Sequence, residues 1–315
     1  MQSPEPPTLR SSRVRRWVHH LWREWTIESW RPIAPAFAKP QPASWSDDRI
    51  TAAWLGHATV LINFFGVRIL TDPALFPRIG IRIPFLFTIG PKRLTAPALT
   101  VNELPRIDLI ILSHAHFDHF DLRTLHRISR GPGSDRPDAD ITVITAPRTA
   151  DLLRSTRFHD IRELRWGERT TIQTATREIK VTGFEVKHWG ARLRRDDFRG
   201  YNGYLIERNG RRILFAGDTA FTETFRELRR SGSIDLAIMS IGCYNPWIRS
   251  HSTPEQAVEM ATDAGARFIM PVHHQTFRLS FEPFREPIER FESALRAEPE
   301  RIALREVGET FVLPI

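Results

Sequence analysis

At 315 residues, with 41% apolar and 26% charged residues, the chain can bury one large core or two small ones and is too apolar to stay disordered. Its single cysteine, Cys243, excludes an intrachain disulfide framework or thiolate metal cluster and points to a reducing compartment. The net charge of +8 is nearly all arginine, because Lys39, Lys92, Lys180 and Lys187 are the only lysines. Arginine excess can follow genome base composition, so it favours an anionic surface or a phosphate-bearing substrate over nucleic acid. No segment reaches the roughly 18 consecutive apolar residues of a membrane span. The N-terminal arginines are not followed by the apolar core and small-residue cleavage site of a secretory leader. The expectation is a cytoplasmic protein, peripheral at most at the inner membrane face.

Residues 1–12 are rich in proline and serine and are expected to be disordered. Val14, Trp17, Val18, Leu21, Trp22 and Trp25 then recur at helical spacing, with Arg13, Arg15, Arg16 and Arg23 largely off the stripe. Such a helix either packs on the body of the protein or lies in a headgroup layer. A proline-rich strap from Pro32 to Pro42 leads into the main domain, giving an arm over 1–45 and a domain over 46–315.

Residues 59–72 read as strand, glycine turn and strand ending in Asp72. Residues 204–218 repeat that order through Asn209-Gly210, a strong hairpin signal, and end in Asp218. This predicts a duplicated α/β domain, with two sheets and helices outside. Between and after the hairpins, helices are predicted over 120–130, 148–156, 222–231 and 286–297, and strands over 142–147, 234–241 and 310–313. Thr253-Pro254-Glu255 reads as a helix start. The apolar segment 79–89 contains glycine and proline and falls where a loop is expected; exposed, it would mark a lipid-like partner.

The chemistry gathers at His114-Ala115-His116-Phe117-Asp118-His119, directly after the apolar run 107–113. Imidazoles and carboxylates are the protein ligands of Zn²⁺ outside thiolate sites. Crowding them without a cation would cost desolvation. The hexapeptide offers more donors than one open tetrahedral ion needs, so two ions sharing a water are expected. The remaining ligands are sought where polar metal-type residues end short apolar runs, at His188, Asp218 and His273.

These residues resemble those of the metallo-β-lactamase superfamily over roughly 50–315. Trp54-Leu55-Gly56-His57, Leu70-Thr71-Asp72-Pro73, Gly90-Pro91-Lys92-Arg93, Glu103-Leu104-Pro105 and Ile241-Gly242-Cys243-Tyr244-Asn245-Pro246 are similar to the N-acyl-phosphatidylethanolamine-hydrolysing phospholipase D group. The resemblance implies an α/β four-layer αββα sandwich and two Zn²⁺. It implies His114, His116 and His188 on one ion, Asp118, His119 and His273 on the other, and Asp218 bridging. His251 matches a histidine set over the substrate. One departure is His273-His274-Gln275-Thr276-Phe277, where the group carries His-Trp-Gly-Thr-Phe.

The reaction expected is hydrolysis of a phospholipid or other small phosphodiester or ester. Asp118 would orient the attacking water or take its proton, Asp218 would join the ions, and His251 would donate to the substrate. A lactonase or small-molecule phosphoesterase is the alternative. A di-iron oxygen chemistry is disfavoured by His116, where such relatives typically carry glutamate, and a nuclease by the short stretch between Asp218 and His273. No nucleic-acid partner is expected, a homodimer is left open, and residues 13–30 and 79–89 are the surfaces expected to meet a membrane. His57 is read as steadying Asp118 or a ligand, and Asp72 as orienting a loop or ligand. His19, His20, His126 and His159 are read as surface residues, and Tyr244 and Trp247 as either pocket wall or packing.

Overall fold

The computed structural model describes residue 28 and residues 30–314, apart from 84–87, 132–140, 175, 176, 194 and 231. The stripe from Val14 to Trp25, with His19 and His20, lies outside the described residues. In chain order the first half supplies β1 (Ile50–Gly56), β2 (Thr59–Phe64), β3 (Val67–Thr71), the short strands β4 (Ile81–Arg82) and β5 (Thr88–Ile89), β6 (Leu109–Leu112), α1 (Leu122–Ser129), β7 (Thr142–Thr145) and β8 (Asp160–Glu163). The second half supplies β9 (Arg169–Thr174), β10 (Arg177–Phe184), β11 (Gly203–Arg208), β12 (Arg211–Phe215), α2 (Phe225–Arg230), β13 (Ile234–Ser240), α3 (Pro254–Asp263), β14 (Ala266–Val272), α4 (Glu286–Ala294) and β15 (Thr310–Val312).

Two large sheets result, one ordered β15-β1-β2-β3-β6-β7-β8 and the other β14-β13-β12-β11-β10-β9, while β4 and β5 pair apart from both. The expected duplication is visible in how each is built. An antiparallel hairpin, β2–β3 or β11–β12, is extended by parallel strands, β6 and β7 in one sheet and β13 and β14 in the other. Both hairpins turn through two residues of positive φ, Phe65-Gly66 and Asn209-Gly210, which matches the right-handed twist of the flanking strands.

Alternation along the second sheet sorts its side chains. Ile206, Ile213, Leu236 and Ile238 join the core between the sheets. Leu205, Leu214, Ala237 and Met239 face the other way, onto Phe225 of α2, Ala257 and Met260 of α3 and Ile288 and Phe291 of α4. On the first sheet Leu125 and Ile128 of α1 are part of the inter-sheet cluster's continuation. These layers are the αββα sandwich. β6 is wholly buried along Leu109-Ile110-Ile111-Leu112, as a parallel strand covered on both faces must be.

Helix starts follow local chemistry. Asp121 caps α1, its carboxylate accepting from the amides of Arg123 and Thr124. Thr253 and Gln256 form a reciprocal capping box on α3, with Pro254 in its first turn. The helix expected over 148–156 is instead a 3₁₀ turn at Ala150–Leu153, preceded by Arg148 at φ 59°. Residues 32–45 pack along the body, Ala34 bridging to Thr95 and Ala38 donating to the Val307 carbonyl. Among the described residues no helix is long and apolar enough to cross a membrane.

Candidate metal centre

The parallel strands of both sheets point their carboxyl ends at one edge, where open α/β sheets present their ligand sites. Asp72 follows β3, Ser113 and the hexapeptide follow β6, and His273 directly follows β14. Asp218 stands three residues beyond β12, and His188 lies in the loop after β10, four residues past its end at Phe184. Two glycines make room. A Cβ on Gly217, which sits at φ 60°, would lie 2.7 Å from the Ser113 Cβ. A Cβ on Gly242 would lie 2.2 Å from the His273 carbonyl oxygen.

The predicted ligands converge in two groups. In the first, His116 Nδ1 lies 2.8 Å from His114 Nε2 and 3.3 Å from His188 Nε2. In the second, His119 Nε2 and His273 Nε2 are 3.1 Å apart, and Asp118 Oδ2 is 3.5 Å from each. Asp218 Oδ2 stands between the groups, 3.1 Å from His119 Nε2, 3.1 Å from His273 Nε2 and 3.9 Å from His188 Nε2.

The backs of the rings are held. His119 Nδ1 donates to Asp72 Oδ2 at 2.6 Å, and His188 Nδ1 donates to the Ser250 carbonyl at 2.8 Å. Ser113 Oγ donates to the same Asp72 oxygen at 2.5 Å and takes a hydrogen bond from His114 Nδ1 at 2.9 Å. With Nδ1 so committed, the Nε2 lone pairs of His114, His119 and His188 face inward, the orientation metal-binding imidazoles need. Asp118 Oδ2 accepts from His57 Nε2 at 2.8 Å.

The electrostatics ask for a cation. Burial opposes charge on His119 and His273, yet Asp218 and Asp118 hold both imidazolium forms well above their ordinary range. Burial likewise opposes charge on Asp118 and Asp218, but His119 outweighs it and both stay well below the usual carboxylate range. His114 and His188 are driven far down by burial, and His116 falls to about 4. Neutral His114, His116 and His188, with His119 and His273 holding protons beside two carboxylates where a cation would sit, are an N/O donor set for a divalent metal. Asp218 Oδ1 is buried with no hydrogen-bond partner among the described residues, a lone pair that an ion would satisfy. The donor set fits metal.

His251 Nδ1 lies 3.8 Å from Asp218 Oδ2, and its ring rests against His188 at 5.1 Å and His273 at 5.5 Å between centroids. Burial holds it neutral, its pKa near 4. Tyr244 is turned away, its hydroxyl donating to Glu286, and Trp247 is half exposed. His159 is exposed, while His126 is half-buried and bonds Ser155 Oγ. His274 is buried and stacks on Trp54 at 4.5 Å. Sequence reasoning missed Ser113, which no motif marked, and the Ser250 carbonyl, which no sequence could mark. It also missed Trp189, whose ring lies 4.7 Å from that of His116; an aromatic directly after His188 was the available signal.

Residues 67–274 match the family described as the β-lactamase superfamily domain. The uncharacterized protein Rv0906 of Mycobacterium tuberculosis is 31% identical over 87% of this chain and 71% of its own. N-acyl-phosphatidylethanolamine-hydrolyzing phospholipase D 1 of Caenorhabditis elegans is 29% identical over 80% of this chain and 71% of its own. Among solved structures, isothiocyanate hydrolase from Delia radicum gut bacteria superposes with a TM-score of 0.63 at 17% identity, covering 83% of this chain and 98% of that one. At that identity the likeness speaks for the fold.

Proposed function

Because the chain belongs to the β-lactamase superfamily and is a metal-dependent hydrolase of that fold, we propose that it is a dinuclear zinc phosphodiesterase of the phospholipase D type. Its substrates in this reading are N-acyl-phosphatidylethanolamine-like lipids. The observation that carries the proposal is the division of donors into His114, His116 and His188 on one side and Asp118, His119 and His273 on the other, with Asp218 Oδ2 between them. The similarity to the nematode phospholipase D supports the substrate class.

When bound, a pair of divalent ions supplies water that is acidic enough to attack at neutral pH and positive charge for the developing phosphorane. The chain's own groups do the rest. Asp118, whose Oδ2 already accepts from His57, orients the water and holds its proton. Neutral His251, packed over the two groups, offers a ring N–H to a substrate oxygen. Water adds to phosphorus, the P–O bond to the N-acylethanolamine breaks, and the proton leaves with that alcohol.

This reading places the enzyme at the inner face of a membrane, met by the arm over 13–30 and the hairpin within 79–89, where Ile81 and Ile89 are exposed. Metal-loaded protein should hydrolyse a lipid phosphodiester, lose that activity on chelation and regain it with Zn²⁺, with about two metals per chain by elemental analysis. The same preparation is given a lactone and single-stranded RNA. Cleavage of the lactone or the RNA with no turnover of phosphodiester lipid refutes the proposal.

A further inference from the structure

Beside the metal centre lies a groove of about 770 Å³ that contributes none of the metal donors. α1 and the chain around β4 form its sides, and Phe117 and Arg192 bring it up against the hexapeptide. Arg78, Arg82, Arg123, Arg127, Arg130 and Arg192 line it. Asp121 is the one acid on its walls among the described residues, and that carboxylate is already occupied by the amides of Arg123 and Thr124.

Rings, carbonyls and an amide oxygen, rather than carboxylates, hold three of these cations, Arg123, Arg192 and Arg127. Arg123 lies over the Phe76 ring at 3.8 Å, and Arg192 over the Phe117 ring at 4.0 Å. Arg192 Nη1 also donates to the carbonyls of Ala115 and Phe120, at 2.9 and 2.8 Å. Arg127 donates to Asn102 Oδ1 at 3.0 Å. Among the described residues, none of Arg82, Arg123, Arg130 and Arg192 has a carboxylate within salt-bridge distance. So many guanidinium groups facing one engaged carboxylate make an anion site, and their planar forks suit phosphate oxygens.

The rim narrows the choice of anion carrier. Ile81 and Leu193 stand 51% and 52% exposed beside the arginines, as apolar side chains do where a headgroup layer meets acyl chains. Stacking of nucleic-acid bases needs open aromatic faces, and one face each of Phe76 and Phe117, the phenyl rings on its walls, is taken by Arg123 and Arg192. We propose that this groove binds the headgroup phosphate of an anionic phospholipid other than the one being hydrolysed. The proposal rests on the reading of an enzyme that works at a phospholipid surface.

The test uses the full chain, metal-loaded, with Arg82→Gln/Arg130→Gln. Both positions are exposed. Co-sedimentation is measured with phosphatidylcholine vesicles, with and without phosphatidylglycerol. The unaltered protein should prefer the anionic vesicles, and the double variant should bind them about 30-fold more weakly at unchanged metal content and melting temperature. Arg230→Gln/Arg296→Gln, of equal charge loss, should bind as the unaltered protein does. Undiminished binding by the groove variant, or equal loss in both variants, overturns the proposal. So does tighter binding of the unaltered protein to a single-stranded DNA oligonucleotide than to the vesicles. Release from vesicles by inorganic phosphate, but not by chloride at equal ionic strength, is expected of a groove that holds a headgroup phosphate. Binding of inorganic phosphate by the unaltered protein with no preference for the anionic vesicles would overturn the lipid assignment in favour of free phosphate. Turnover of bis(p-nitrophenyl) phosphate is followed in parallel. Its absence from the unaltered protein sinks the phosphodiesterase reading while the vesicle data still judge the groove.

Discussion

Asp72 takes a hydrogen bond from His119 Nδ1 at 2.6 Å although neither side chain has any exposure. The same carboxylate accepts from the amide and hydroxyl of Ser113, whose hydroxyl in turn holds His114. One carboxylate therefore sets the ring orientation of a histidine in each donor group. Asp72→Ala should weaken metal affinity by about 10–100-fold, the usual cost of losing such an outer partner. Competition against a chromogenic chelator measures this, and unchanged affinity would show the two rings to be held by packing alone.

Asp218→Asn keeps the shape of the side chain and removes the charge that faces both groups. Turnover should fall by more than the roughly 100-fold typical of an outer partner, with substrate affinity far less affected. Steady-state kinetics beside elemental analysis separate the two effects, and a fully active variant would show that the carboxylate joins nothing.

His251 has no place in either donor triplet. His251→Ala should keep its metal while kcat drops by about 10²–10⁴, the scale of general acid–base assistance. Metal loss in this variant would make His251 a ligand.

His274 gives a pH prediction of definite sign. Burial holds its pKa near 3, and neither ring nitrogen has a hydrogen-bond partner of normal geometry. An unfolded histidine titrates near 6.5, so below that pH the unfolded chain binds a proton the folded chain refuses. Stability is then lost as pH falls from about 6.5 towards 3, by up to about 1.4 kcal/mol per pH unit. His274→Phe keeps the stack on Trp54 and removes the titration. Its denaturation midpoint should exceed that of the unaltered protein by more at pH 5 than at pH 8. An equal difference at both pH values would contradict this account.

The site was legible where its signal was local or sat at the end of an apolar run. The hexapeptide announced itself by density, and His188, Asp218 and His273 by the strands before them. Asp72 and Ser113 are far apart in sequence, and their contact follows from the parallel pairing of β3 with β6, which no local pattern encodes. β8 and β9 went unread because their sequences, Asp160-Ile161-Arg162-Glu163 and Arg169-Thr170-Thr171-Ile172-Gln173-Thr174, are mostly polar. β8 is an edge strand that needs few apolar residues. The false helix over 148–156 came from weighing Leu152 and Leu153 without the break at Arg148. The layer order came from family likeness, since periodicity gives elements and not their neighbours.

The two donor groups draw on both sheets: His114, His116, Asp118 and His119 follow β6 of the first, while His188, Asp218 and His273 follow strands of the second. An ion held by either group ties together chain segments remote in sequence, closing long loops much as a disulfide would. In a chain whose one thiol can form no internal bridge, metal is the available cross-link between the halves of the sandwich. Starving the protein of metal should therefore let the sheets part at this edge first. Amide exchange would show it as protection lost in step along β6 and β14, which share no hydrogen bond with each other.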